Sequence, residues 1–273
     1  MAVHPTAIVE DGAKLGAGVE IGPFCIVGRD VSLGDGVRLH SHVVVSGKTS
    51  IGENTAIYSH AVIGGEAQIY NNNAPDARLE IGSGNVLREG VTISLGSAKG
   101  HNLTKIGNNN FLMAGSHIGH DCIVGNNVIL ANGVMIGGHF EIGDGVIMGG
   151  LAAAQQFGRV GRYAFISGLS GISTDVIPYG IAIGLHVRLG GLNIIGLRRR
   201  NIPRPNIHAL RAAYKAIFVD GKGSIQANAR EVEAAGKWRG IPEVDEVIAF
   251  ILADAKRPIT PARRKRDEDE SED

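Results

Sequence analysis

Apolar residues recur at every sixth position along most of this chain. From Val3 the series runs Val9, Leu15, Ile21, Val27, Leu33, Leu39, Val45, Ile51, Ile57, Ile63 and Ile69. It resumes in phase after Tyr70–Ala77 at Ile81, Leu87 and Ile93. After Ser97–Thr104 it slips by one residue and continues from Ile106 to Ile172, with glycine often following the apolar position, as at Gly22, Gly52, Gly107, Gly119 and Gly143. A period of six is neither the 3.6 of an amphipathic helix nor the 2 of a flat strand. It fits a short strand followed by a tight corner, the aliphatic side chain pointing inward and glycine adopting a backbone that a side chain would obstruct. Three such sides close a triangular coil of eighteen residues, which predicts a parallel β-helix of about ten coils. The interruptions predict loops near 70–77 and 97–104, pushed out of the stack and free to carry function.

The period stops at Pro178, and beyond Pro203 the composition changes to helix formers. Helical spacing of Ile207, Leu210, Ala213, Tyr214 and Ile217 puts one apolar face on a helix over 206–219, and further helices are expected over 224–235 and 242–255. The expected organisation is a β-helix over 1–190, a helical domain over 191–256 and a charged, disordered tail over 257–273. That tail closes on the basic run Arg263-Arg264-Lys265-Arg266 and the acidic run from Asp267 to Asp273.

Composition narrows the function. Forty glycines and only 5% aromatics argue against a helical bundle. The 27 basic and 27 acidic residues balance, leaving no global field for nucleic acid. Two cysteines exclude a disulfide scaffold, no stretch is apolar enough for a transmembrane segment, and the first residues lack a signal peptide. A cytoplasmic protein is expected.

The eighteen-residue coil converts spacing into geometry. His120, Gly138 and Gln156 fall on one outer ladder, flanked by His117, Asp121 and His139, with His139 directly above Asp121. An imidazole suits a general base, an adjacent carboxylate can fix its tautomer, and a bare glycine N–H can meet an oxyanion. Zinc is the other use of clustered histidines, but His117, His120 and His139 would have to reach one ion from different sides of a corner, so no metal is assigned. His42 and His60 also stack at eighteen residues and, lacking an acid, read as structural. Cys25 and Cys122 occupy inward slots beside corners and read as structural too.

The segments from His4 to Val9, Ile21 to Gly28, Ser41 to Val45 and His117 to Cys122 resemble the UDP-N-acetylglucosamine O-acyltransferase family of lipid A biosynthesis, as do Asn193-Ile194, Gly196 to Arg200 and Ala212 to Lys215. The resemblance covers essentially all of residues 1–256. It implies a left-handed β-helix, all-β plus α with its C-terminal helices, and a homotrimer with active sites between neighbouring chains. It implies transfer of a 3-hydroxyacyl chain from acyl carrier protein to the 3-position of a UDP-sugar. The donor rides on the carrier's phosphopantetheine and no cofactor is bound. His120 would then be the general base, Asp121 its orienting partner and Gly138 N–H the oxyanion donor. His117, His139 and Gln156 would line the sugar and acyl pocket, Gln68 would touch the acceptor, and Asn193, Arg199 and Arg200 would hold nucleotide and phosphates. Gly168 matches the floor of the acyl groove, and its bare backbone leaves room for a longer chain.

The sequence departs from the family where it faces the acceptor. The family's Gln-Asp-x-Lys is Gln68-Ile69-Tyr70-Asn71, its His-Arg-Gly is Ser94-Leu95-Gly96, its His-Gln-Phe is Gln155-Gln156-Phe157, and the Glu of its Asn-Ile-Glu-Gly is Ile195. Two acceptors therefore stay open, UDP-N-acetylglucosamine giving an ester and a UDP 3-amino sugar giving an amide. A non-catalytic β-helix scaffold is the alternative of another class.

Overall fold

A computed structural model describes residues 2–263. Its strands, mostly two residues long, stack into three sheets of eleven, nine and eight strands, parallel except for the last strand of the first, that form the faces of a triangular prism. The first face begins at Ala2–Val3, the second at Ile8–Val9 and the third at Lys14–Leu15. Ala2 pairs with Glu20 and His117 with Met135, the expected rise of one coil per eighteen residues. The sixth-position aliphatics fill the prism: Ile57, Ile63, Leu112, Ile118, Leu130 and Ile136 are fully buried. Truncating one of them to alanine costs about 2–5 kcal/mol.

Two loops interrupt the stack, and both leave at the corner between the second and third faces. One spans 66–77, between Val62–Gly65 and Arg78–Ile81; the other spans 95–102, between Thr92–Ser94 and Leu103–Ile106. Ala56 pairs with Val86 and Thr92 with His117, so these coils contain 30 and 25 residues. Ile69, counted in the hexapeptide series, lies inside the first loop, because the chain leaves the coil after Gly65.

The last strand of the first face, Arg188–Leu192, runs antiparallel to Gly180–Ile183 and ends the stack. Four helices follow: α1 (Ile194–Arg199), α2 (Arg204–Phe218), α3 (Ile225–Ala235) and α4 (Pro242–Leu252). Pro205 and Pro242 occupy first turns, where a missing N–H costs nothing. The hydroxyl of Ser224 accepts from Ala227 N–H at the start of α3, and Gly236 ends it with φ 65°. The buried pair Arg159–Asp175 (2.8 Å) ties the helices to the prism, since the same guanidinium lies 4.4 Å over the Phe250 ring of α4.

The first residues of the segment expected as a tail, up to Arg263, pack on the prism. Residues 257–263 run back along the prism: Asp175 N–H donates to Pro258 O, Thr260 N–H to Asp175 O, and Arg263 N–H to Leu189 O. Thr260 is fully buried there. Composition alone hides this, because the anchoring contacts are backbone hydrogen bonds to residues some 85 positions earlier. Most of the charged block lies outside the described residues.

Candidate active site

His120 and Asp121 occupy the corner between the second and third faces, between the strands His117–Ile118 and Ile123–Val124. Asp121 has φ 58°, a left-handed conformation in which Asp is tolerated because its short side chain bonds locally. Its side chain is fully buried and 2.8 Å from Nδ1 of His120. Three further donors come from the second loop and one contact holds the backbone. Ser97 Oγ and Ser97 N–H donate to the carboxylate, His101 N–H donates at 2.8 Å, and Asp121's own N–H donates to Thr104 Oγ1. Burial pushes this carboxyl up, and the bonds from Ser97, His120 and the loop N–H groups outweigh it, holding the group below its usual value as an anion. An anion at Nδ1 keeps the proton there and leaves the Nε2 lone pair for a substrate.

Gly138 sits against that nitrogen. A Cβ built on Gly138 would lie 2.5 Å from Cε1 and Nε2 of His120, so the imidazole packs on bare backbone. At the corner between the third and first faces the equivalent N–H groups are taken by side chains one coil on: Asn108 N–H by Asn126 Oδ1 and Asn126 N–H by Asp144 Oδ1. Gly138 N–H has no such partner among the described residues.

His139 stands above Asp121, its Nε2 3.9 Å from Oδ2, and meets the His120 ring edge-on at 4.9 Å. Phe157 stacks on its other face at 4.4 Å and 12°. Burial lowers the proton affinity of His139, with His120, Lys256 and His101 acting in the same sense and Asp121 against it. His117 is held by a 2.7 Å hydrogen bond between Nδ1 and Thr92 Oγ1, and burial lowers its proton affinity as well. Gln156 and Gln68 are exposed at this corner, Gln68 in the first loop.

The donor atoms of His120, Asp121 and His139 lie within 4.8 Å of one another, whereas His117 falls outside the group. The carboxylate already accepts from Ser97 twice, from His101 and from His120. This arrangement serves proton transfer better than it serves an ion. Neither thiol is available as a nucleophile: both cysteines are fully buried, and burial pushes Cys122 up to about 12.

The remaining expected residues stand elsewhere on the chain. Asn193 caps α1, its Oδ1 accepting from Gly196 N–H and its Nδ2 donating to Tyr163 O. Arg200 lies 4.1 Å over the Tyr163 ring and donates to Gly145 O, while Arg199 is exposed. Tyr163 and Gly145 belong to the corner between the third and first faces, and Gly168 to the corner between the first and second. One chain therefore assembles the acid–base corner but not the arginines or the groove floor beside it. Ser97, His101 and Thr104 are not visible from spacing; the one signal is that Thr104 precedes Asp121 by seventeen residues, close to one coil.

These features define the class, a left-handed β-helix of hexapeptide repeats with an imidazole–carboxylate pair at one corner, the frame of an acyltransferase. Residues 175–260 match the profile of UDP N-acetylglucosamine O-acyltransferase, domain 2, and residues 12–47 and 103–138 that of the bacterial transferase hexapeptide (six repeats). The chain is 47% identical to an acyl-[acyl-carrier-protein]–UDP-N-acetylglucosamine O-acyltransferase of Sinorhizobium fredii, over 96% of each chain. It is 48% identical to the enzyme of that name from Anaeromyxobacter sp., covering 95% of this chain and 100% of the other. The solved LpxA of Acinetobacter baumannii superposes with a TM-score of 0.91 at 40% identity, over 95% of this chain and all of that one. The chain belongs to the UDP-N-acetylglucosamine O-acyltransferase family.

Proposed function

We propose that this protein transfers a 3-hydroxyacyl chain from acyl carrier protein to the 3-hydroxyl of UDP-N-acetylglucosamine, the first step of lipid A assembly, in the cytoplasm. The observation that carries the reading is the Asp121–His120–Gly138 corner within a chain that matches the named acyltransferases along nearly its whole length. His120 Nε2 removes the proton from the sugar hydroxyl as its oxygen attacks the thioester carbonyl. Asp121 stabilises the imidazolium that forms, and Gly138 N–H meets the oxyanion. Collapse expels the carrier thiolate, which takes the proton back from His120. Transfer is direct, the donor arm being the carrier's own phosphopantetheine, and the chemistry assigned to these residues calls for no bound metal or cofactor.

His117, His139, Gln156 and Gln68 would line the acceptor and acyl pocket, and Asn193, Arg199 and Arg200 would hold the nucleotide, with Gly168 under the acyl chain. Their separation on three corners supports a homotrimer whose sites lie between neighbouring chains, one giving the His120 corner and another the arginines. Full-length similarity to named acyltransferases, loops included, favours catalysis over a scaffold and the N-acetylglucosamine nucleotide over its 3-amino analogue. The test offers 3-hydroxyacyl-carrier protein with both nucleotides in competition and reads products by mass spectrometry. An ester product is expected; a predominant amide overturns the acceptor, and absence of either product overturns the activity.

A further inference from the structure

The segment following α4 reaches the active corner from the far end of the sequence. Arg257 donates through Nε and Nη2 (3.2 and 2.9 Å) to the carbonyl oxygen of Gln156, fixing the backbone beside Phe157. The Lys256 ammonium lies 4.2 Å over the Phe157 ring. Beneath that ring, in order, come the stacked imidazole of His139 and the edge-on imidazole of His120. The strap is anchored immediately afterwards, where Pro258 and Thr260 bond the backbone of Asp175. A cation on one face of an aromatic stack thus ends a column whose other end is the general base.

We propose that Lys256 and Arg257 are positioning residues of the active site, holding the Phe157–His139 stack so that Asp121 stays committed to His120. This rests on the reading of His120 as the base. The physical need arises from Asp121 having two imidazole neighbours, at 2.8 and 3.9 Å from the same oxygen. A protonated His139 competes with His120 for that oxygen; a neutral one does not. The charged and titratable groups facing His139 are Asp121 and His101 below, His120 beside it and Lys256 above. Lys256 works against the attraction of Asp121, and its column keeps the His139 ring face-on to Phe157 instead of turned toward the carboxylate.

The test compares Lys256→Met, Lys256→Arg and Arg257→Gln with wild type and with Lys237→Met, whose lysine lies over Trp238 on the helical domain. Turnover of 3-hydroxyacyl-carrier protein is followed across pH, and histidine ring titrations are followed by NMR in the same proteins. Lys256→Met is expected to lower kcat about two- to fivefold with little change in KM, the worth of an exposed cation–π contact. Its acid limb moves to higher pH, His139 titrates at higher pH, and Lys256→Arg restores all three. Arg257→Gln lowers kcat similarly, and Lys237→Met is unchanged. A wild-type acid limb with an unmoved His139 titration in Lys256→Met overturns the proposal, as does an effect confined to KM. If wild type itself does not turn over, the assigned activity fails; the His139 titration then decides the positioning claim alone, a shift in Lys256→Met supporting it and no shift overturning it.

Discussion

Gly138 places its Cα hydrogen where a methyl group would stand 2.5 Å from Nε2 of His120. In the proposed mechanism that space is used twice: the imidazole packs against the backbone there, and the N–H of the same residue stays open toward the reacting carbonyl. Gly138→Ala is expected to lower the rate at least about 10²-fold by displacing the base and the oxyanion donor together. Gly28→Ala is the matched control, because its Cβ would meet only ordinary contacts at 3.5 Å and beyond. Steady-state rates and thermal melts of the two variants separate a local effect from unfolding.

His120→Ala should keep the fold, since the imidazole sits at an outer corner and is not part of the apolar core, and lose at least about 10²-fold in rate. Circular dichroism together with single-turnover acyl transfer checks both halves. A variant with full activity would remove His120 from the mechanism.

Asp121 is a different case, because its carboxylate is the acceptor for a loop as well as for the base. Asp121→Ala leaves Ser97 Oγ and two loop N–H groups unpaired in a buried place. A stability loss of about 2–4 kcal/mol is expected beside the loss of rate. Denaturant melts measure it.

The pH dependence of stability follows from three groups. Asp121 titrates below its usual range when folded, so its contribution is present above the unfolded value of about 4 and lost as pH falls below it. His117 and His139 titrate below the ordinary imidazole value, so the unfolded chain binds their protons first. Melting temperature should therefore already fall as pH drops through about 6.5, and fall less steeply in His117→Gln.

A Cβ on Gly168 would meet Gly150 O at 3.2 Å and Gly150 N at 3.8 Å, and no other atom within 4 Å. A larger side chain can therefore be carried there and would shorten a groove that runs past it. Gly168→Met is expected to shift preference toward shorter acyl chains, read from competition among carrier-bound donors of different length.

The spacing of aliphatic residues was enough to stack His120, Gly138 and Gln156 and to put His139 over Asp121, because a prism with eighteen residues per coil leaves no freedom in that register. It could not show that Ser97 and His101 serve Asp121, since a loop outside the coil has no period. The segment after α4 is hidden for a similar reason. Lys256 and Arg257 look like solvated charges in sequence, and only the fold brings them to Phe157 and Gln156, about a hundred positions away. The arginine run at 198–200 stands out in the sequence, but the corner it packs on does not, because the period has already ended.

Both loops leave and re-enter the prism at the same corner, and their lengths are unrelated to six. Within a coil, adding one residue would turn every later side chain around the axis and carry His120 off its ladder. At the loops the chain is outside the count, and closing a longer excursion costs little. The rim of the candidate site can thus lengthen, shorten or change residues, while the His120 corner keeps its address on the frame.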